Sequence, residues 1–132
     1  MKLLLDENLP VSLRHEFKPP IDVITVQYMR WKGRKNGELL GLMAMQTFDG
    51  IITADQRMYS DEVVKRFNLH FCLLRPADTQ VETLLPIVQQ LYQFLIEHHD
   101  RLLMARTSRI ISTDGIADNE YPAGVHIAWL GQ

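Results

Sequence analysis

The sequence predicts an α/β fold, a sandwich with a mainly parallel sheet and helices on both faces. Four short apolar or β-branched runs without polar alternation occur in the first 75 residues, and such runs are typical of strands that are buried on both faces of a sheet. Segments with helical spacing or helix-capping residues lie between these runs, and an alternation of strand and helix favours a parallel order of the strands.

Each element of the first half is predicted from its local sequence. The predicted strands cover residues 2–5, 21–26, 50–53 and 70–74. The predicted helices open at Leu9-Pro10, extend over residues 38–43, and run from Ser60 or Asp61 to Phe67. Proline is tolerated at the first position of a helix, and Asn36 is a suitable N-cap for the second helix.

The apolar pattern changes after Pro76. Helical spacing predicts a long amphipathic helix from about Thr79 to about Ala105, which either kinks at Pro86 or begins after it. The apolar stripe of this helix is expected to pack on the sheet or on a second subunit. A homodimer is therefore one of the expected assemblies.

The sequence also predicts how the chain is organised into domains. An α/β domain is expected over residues 1–105, followed by a C-terminal extension over residues 106–132. Two apolar segments of the extension, residues 109–112 and 125–130, are candidate short strands. The Asp, Asn, Gly and Pro residues between these segments predict a loop.

Composition limits the classes of protein to which the chain can belong. Its 132 residues correspond to one domain, and 46% hydrophobic residues exclude a wholly disordered chain. A formal net charge of −2 excludes a globally basic nucleic-acid binder but leaves room for a local basic patch. Cys72 is the only cysteine, which excludes an intrachain disulfide, and no apolar run is long enough to cross a membrane. We therefore expect a cytoplasmic protein without a membrane partner.

Acidic residues follow two of the predicted strands. Asp6 and Glu7 come directly after the first strand, and Asp55 follows the third. If these strands are neighbours, their carboxyl ends meet at one edge of the sheet, which Glu38 would join from the start of the second helix. Converging carboxylates require a compensating cation, and Mg²⁺ or Mn²⁺ prefers oxygen ligands. The alternative is that these acids serve only in turns and caps.

A dense basic segment precedes Glu38. It consists of Arg30, Trp31, Lys32, Arg34 and Lys35, with Gly33 between them. Its cations can neutralise the phosphates of a nucleic acid, and the indole can stack on an unpaired base. The alternatives are a solvated loop or a loop that pairs with an acidic protein.

The opening residues MKLLLDENLP resemble the start of an uncharacterised bacterial PIN-like family, related to the VapC-like toxin ribonucleases. Residues 22–26, 38–40 and 50–55 extend the resemblance over about the first 75 residues. The resemblance implies a three-layer PIN-like sandwich and a small ribonuclease that depends on Mg²⁺ or Mn²⁺. It also implies RNA as the substrate and a small antitoxin-like protein as a partner.

The resemblance assigns roles to individual residues. Asp6 matches the first acid of the family and is expected to be the central metal ligand. Asp55 matches the acid after the third strand and is expected to be the second ligand. Glu38 is expected to act as a third ligand or as the base that orients water. Asn8 is expected either to join the site or to cap the first helix.

Two positions depart from the family pattern. Asn36 stands where the family usually has an acid before the second helix, with Glu38 as a substitute half a turn later. Arg57 stands where the family tends to have a second Asp after the third strand. A cation there weakens a divalent site by repulsion, so the alternative function is a non-catalytic PIN-like binding module with a degenerate acidic site. We expect Arg57 to face Asp55 or Asp6.

A phospho-acceptor receiver domain is a further alternative. Such domains also carry an acidic pair after the first strand and an Asp after the third, as Asp6, Glu7 and Asp55 do. A receiver requires a lysine after its fifth strand, however, and the last lysine of this chain is Lys65. The receiver is therefore the less favoured interpretation.

Overall fold

The structure, a computed structural model, describes residues 1–58, 66–67, 69–104, 109–112, 118–121 and 125–129. The strands are β1 (Lys2–Leu5), β2 (Asp22–Thr25), β3 (Gly50–Thr53), β4 (His70–Leu73), β5 (Arg109–Ser112), β6 (Asp118–Tyr121) and β7 (Val125–Trp129). The α-helices are α1 (Val26–Met29), α2 (Asn36–Met45), α3 (Val81–Glu97) and α4 (His99–Met104), and two 3-10 helices cover Val11–Glu16 and Gln56–Met58.

The described strands form one sheet in the order β2-β1-β3-β4-β5-β7-β6. All neighbouring pairs are parallel except β6 and β7, which are antiparallel. The prediction of an α/β fold with a mainly parallel sheet is therefore confirmed. Because β1 pairs directly with β3, the residues that follow these two strands meet at the same edge of the sheet.

Alternate residues of the central strands face two separate hydrophobic clusters. Leu3 and Leu5 of β1 belong to a cluster that includes the stripe of α3, whereas Leu4 belongs to a cluster with Leu40 of α2. Side chains of a strand alternate between its faces, so helices cover both faces of the sheet. This burial on both sides explains why the strands are continuous apolar runs.

The first predicted helix differs in kind from the expectation. The chain forms a 3-10 helix over Val11–Glu16, with Pro10 at its N-cap and no side-chain capping bond. Asn8 is exposed and lies two residues before that cap, so the expectation that it caps the helix is wrong. Asn36 is likewise the first residue of α2 rather than its cap, a position that Lys35 occupies.

The long helix predicted after Pro76 divides into α3 and α4. Pro86 lies inside α3, and the break comes at His98 instead. The apolar stripe is buried against the sheet, and it comprises Leu84, Val88, Leu91 and Leu95. The stripe therefore packs within the chain, as one of the two expectations for it states. None of the helices within the described residues combines the length and the hydropathy that a membrane span requires.

The C-terminal strands continue the sheet. The predicted strand over residues 109–112 is confirmed as β5, which pairs with β4, and the strand predicted over residues 125–130 is found as β7. The polar stretch between them was expected to be a loop, yet it contains β6 at the edge of the sheet. Edge strands tolerate polar residues because one side faces solvent, so composition misleads there. Most of the helix predicted to end at Phe67 lies outside the described residues.

Candidate functional site

Asp6 is a buried carboxylate at the carboxyl end of β1, and it is 5% exposed. Its backbone N–H donates to the carbonyl oxygen of Ile52 at 3.0 Å, which continues the β1–β3 ladder by one residue. The Thr53 hydroxyl donates to Oδ2 of Asp6 at 2.6 Å, and the backbone N–H of Glu7 donates to Oδ1 at 2.8 Å. Each carboxylate oxygen thus has one fixed donor.

The surroundings of Asp6 disfavour its charged form. Burial raises the pKa of Asp6 above its ordinary value, and the hydrogen bonds from Thr53 and Glu7 offset part of the rise. Repulsion from the carboxylates of Glu7 and Asp55 raises this pKa further. A cation placed beside Asp6 would offset both the loss of hydration of this carboxylate and the repulsion from its acidic neighbours. A site with these properties favours the binding of a hard metal ion.

Asp55 lies at the same edge and is joined to Asp6 through Thr53. Its backbone N–H donates to the Thr53 hydroxyl oxygen at 3.0 Å, and that hydroxyl in turn donates to Asp6. Sequence reasoning missed Thr53, although it is a single hydroxyl at the end of an apolar strand. Thr53 is fully buried, so its hydrogen bonds hold the Asp6 carboxylate and the backbone of Asp55 in place.

Arg57 forms hydrogen bonds to the carboxylate of Asp55 and is itself exposed to solvent. Its Nε donates to Oδ1 of Asp55 at 3.0 Å, its Nη2 donates to Oδ2 at 3.3 Å, and its backbone N–H donates to Oδ1 at 2.9 Å. This is the contact that the sequence predicts for Arg57. The hydrogen bond from the guanidinium is the main reason that the pKa of Asp55 is lowered.

Asn36 and Glu38, both in the first turn of α2, have different positions relative to the acids. The Asn36 side chain lies near Asp55 and contributes to the lowered pKa of that carboxyl, though less than Arg57 does. Glu38 pairs instead with Arg34, one helical turn away, and both side chains are about half exposed. The structure therefore brings Asn36 to the acids but does not bring Glu38 to them.

A divalent cation fits this edge only if Arg57 moves. Among the described residues there is no group of three His, Cys, Asp or Glu side chains placed to hold a metal ion. Asp6 keeps a lone pair on each oxygen, whereas both oxygens of Asp55 are engaged by Arg57. The Arg57 side chain is 88% exposed, and exposed ion pairs contribute little to stability, so its departure costs little. Asp6 and Asp55 would then be the two carboxylate ligands.

The basic segment lies beside the acidic edge, but its tryptophan does not face solvent. Trp31 is 8% exposed and packs on Phe48, with ring centroids 5.8 Å apart. This corrects the expectation that its indole stacks on a base, because the ring belongs to the core. Arg30, Lys32 and Lys35 are exposed, while Arg34 is paired with Glu38.

Glu7 holds the basic segment near Asp6. Its Oε1 accepts a hydrogen bond from the backbone N–H of Gly33 at 3.1 Å, and its carbonyl oxygen accepts one from Gln27 at 3.4 Å. Gly33 has a φ of 82°, which a residue without a side chain adopts without strain. Glu7 therefore connects the loop of the basic segment to the end of β1.

The pH dependence of the free energy of unfolding should reveal the desolvation of Asp6. An acid whose pKa is raised on folding binds protons more tightly in the folded state, so the parent loses stability as pH rises above about 3.8, the ordinary Asp value. Asp6→Asn does not titrate, and its free energy of unfolding relative to the parent should increase from pH 3 to pH 7. Urea unfolding at several pH values measures this difference. A difference that stays constant, or a similar gain in the exposed control Asp22→Asn, would contradict the account.

Comparisons with known proteins add nothing to the description of this edge. No protein family, curated protein or solved structure matches the chain significantly. The functional interpretation therefore depends on the geometry of Asp6, Thr53 and Asp55, together with the resemblance of the opening residues to PIN-like proteins.

Proposed function

We propose that the chain is a PIN-like protein with a three-layer sandwich that hydrolyses RNA with Mg²⁺ or Mn²⁺ held by Asp6 and Asp55. The observation that carries the proposal is the Thr53 hydroxyl, which bonds to the Asp6 carboxylate and to the backbone N–H of Asp55 at the carboxyl edge of a parallel sheet. Ligands in open α/β sheets bind at that edge. The raised pKa of Asp6 adds the electrostatic demand for a cation.

The residues at this edge have separate roles in binding the ion and the RNA. Asp6 is held in place by two donors and needs no reorganisation to bind an ion. When bound, the ion neutralises phosphate charge and lowers the pKa of water. Arg30, Lys32 and Lys35 bind the phosphates on either side of the cleaved bond.

The proposal includes the biological setting of the activity. The PIN-like resemblance of the first 75 residues suggests a cytoplasmic toxin ribonuclease that is neutralised by a small antitoxin-like protein. The acidic edge and its exposed cations are the surface that such a partner would have to cover. Blocking the phosphate-binding cations would then prevent RNA from reaching the carboxylates.

A second candidate function is a non-catalytic PIN-like binding module. The two hydrogen bonds from the Arg57 guanidinium to the Asp55 carboxylate favour this second function, because the guanidinium already supplies the positive charge that a metal would supply. In that case the basic segment would bind RNA without cleavage. The two functions differ in whether the RNA is cleaved in the presence of divalent cations, and a cleavage assay distinguishes them.

Loss of the Asp6 carboxylate should abolish cleavage. Asp6→Asn keeps the shape of the side chain but removes the charge that binds the ion, so hydrolysis of unstructured RNA in Mn²⁺ should fall to the level seen with EDTA. Gel electrophoresis of the RNA measures cleavage, and circular dichroism checks that the variant is folded. Asp22→Asn, an exposed acid at the start of β2, should retain full activity. Equal cleavage by the parent and Asp6→Asn would end the assignment to Asp6.

The exposed cations of the basic segment should control RNA affinity. Replacing Arg30, Lys32 and Lys35 with Ala leaves fewer phosphates neutralised, and the slope of log affinity against log salt should fall by about 0.7 for each such phosphate. Fluorescence anisotropy with labelled single-stranded RNA measures both quantities. The control Arg14→Ala/Lys18→Ala removes exposed charges outside the segment and should leave the slope unchanged. An unchanged slope in the triple variant would mean that this loop is only solvated.

A further inference from the structure

We infer that Arg57 is an intramolecular competitor of the divalent cation, holding Asp55 in the ion-free protein and releasing it when the ion binds. This inference rests on the proposed function, because it assumes that Asp6 and Asp55 hold the ion. It goes further in assigning a regulator to that site, with the consequence that Arg57 sets the metal concentration at which the site becomes occupied.

The contacts of Asp55 show why ion and guanidinium exclude each other. Nε and Nη2 of Arg57 donate to Oδ1 and Oδ2 of Asp55 at 3.0 and 3.3 Å, so the fork occupies both oxygens. The Asn36 side chain also lies near this carboxyl. An ion that approaches Asp55 would also be repelled by the positive charge of the guanidinium. Both effects require that the guanidinium withdraws.

The surrounding chain allows the side chain to move alone. Met58 is buried, and its backbone N–H donates to the carbonyl oxygen of Asp55 at 3.0 Å, which anchors the 3-10 turn. The backbone N–H of Arg57 bonds to Oδ1 of Asp55 without involving the guanidinium, so this bond can persist. The Arg57 side chain itself is 88% exposed, against 14% for Asp55. Exchange therefore needs rotation of one exposed side chain and no rearrangement of the sheet edge.

Calorimetry with Mn²⁺ tests the competition without relying on activity. Arg57→Gln keeps a polar side chain but removes the charge. We expect this variant to bind Mn²⁺ about fivefold more tightly than the parent, because the ion no longer has to displace an exposed ion pair. Arg14→Gln removes the same charge from an exposed position in the first 3-10 helix and should bind like the parent. Adding Asp55→Asn to Arg57→Gln should remove the gain.

Nuclear magnetic resonance supplies a second readout. With Mg²⁺, the side-chain Nε–H signal of Arg57 in the parent should shift towards the value of a free arginine as the ion displaces it from Asp55. Equal Mn²⁺ affinity of the parent and Arg57→Gln, with no shift of this signal, would overturn the competition and leave the metal site standing. Absence of Mn²⁺ binding in every variant would overturn the proposed function and this inference together.

Discussion

The hydroxyl of Thr53 is the interaction on which the candidate site depends. It donates to the Asp6 carboxylate and accepts from the backbone N–H of Asp55, so one buried group connects the first acid to the backbone of the second. The hydroxyl occupies this position because β3 pairs directly with β1 in a parallel register. The fold thus determines the site through strand order, and the helices on the two faces bury the strands that hold it.

The two acids at this edge are compensated in different ways. Asp6 is buried and receives only neutral donors, so the cost of its charge is not fully met and its pKa is raised. Asp55 receives a guanidinium from Arg57, and its pKa is lowered. Among the described residues, Asp6 therefore has no cation beside it, whereas Asp55 has an exposed one that can move away. A metal ion would compensate both carboxylates by replacing the guanidinium.

Local sequence determines part of this arrangement. The convergence of Asp6 and Asp55 could be predicted, because both follow buried apolar runs and parallel neighbours end at one edge. The burial of Trp31 against Phe48 could not be predicted, because a tryptophan in a basic segment gives no local sign that it packs in the core. Glu38 was misplaced for a related reason. A carboxylate in the first turn of a helix can turn to a nearby arginine or to the acids, and only tertiary geometry decides between them.

Paramagnetic broadening by Mn²⁺ tests most directly whether this edge holds an ion. The account predicts that, at substoichiometric Mn²⁺, the backbone amide signals of Glu7, Thr53 and Asp55 lose intensity first. The amide of Arg14, in the first 3-10 helix, should keep its intensity under the same conditions. Broadening centred on other residues, or none at all at millimolar Mn²⁺, would contradict the claim that Asp6 and Asp55 form a metal site.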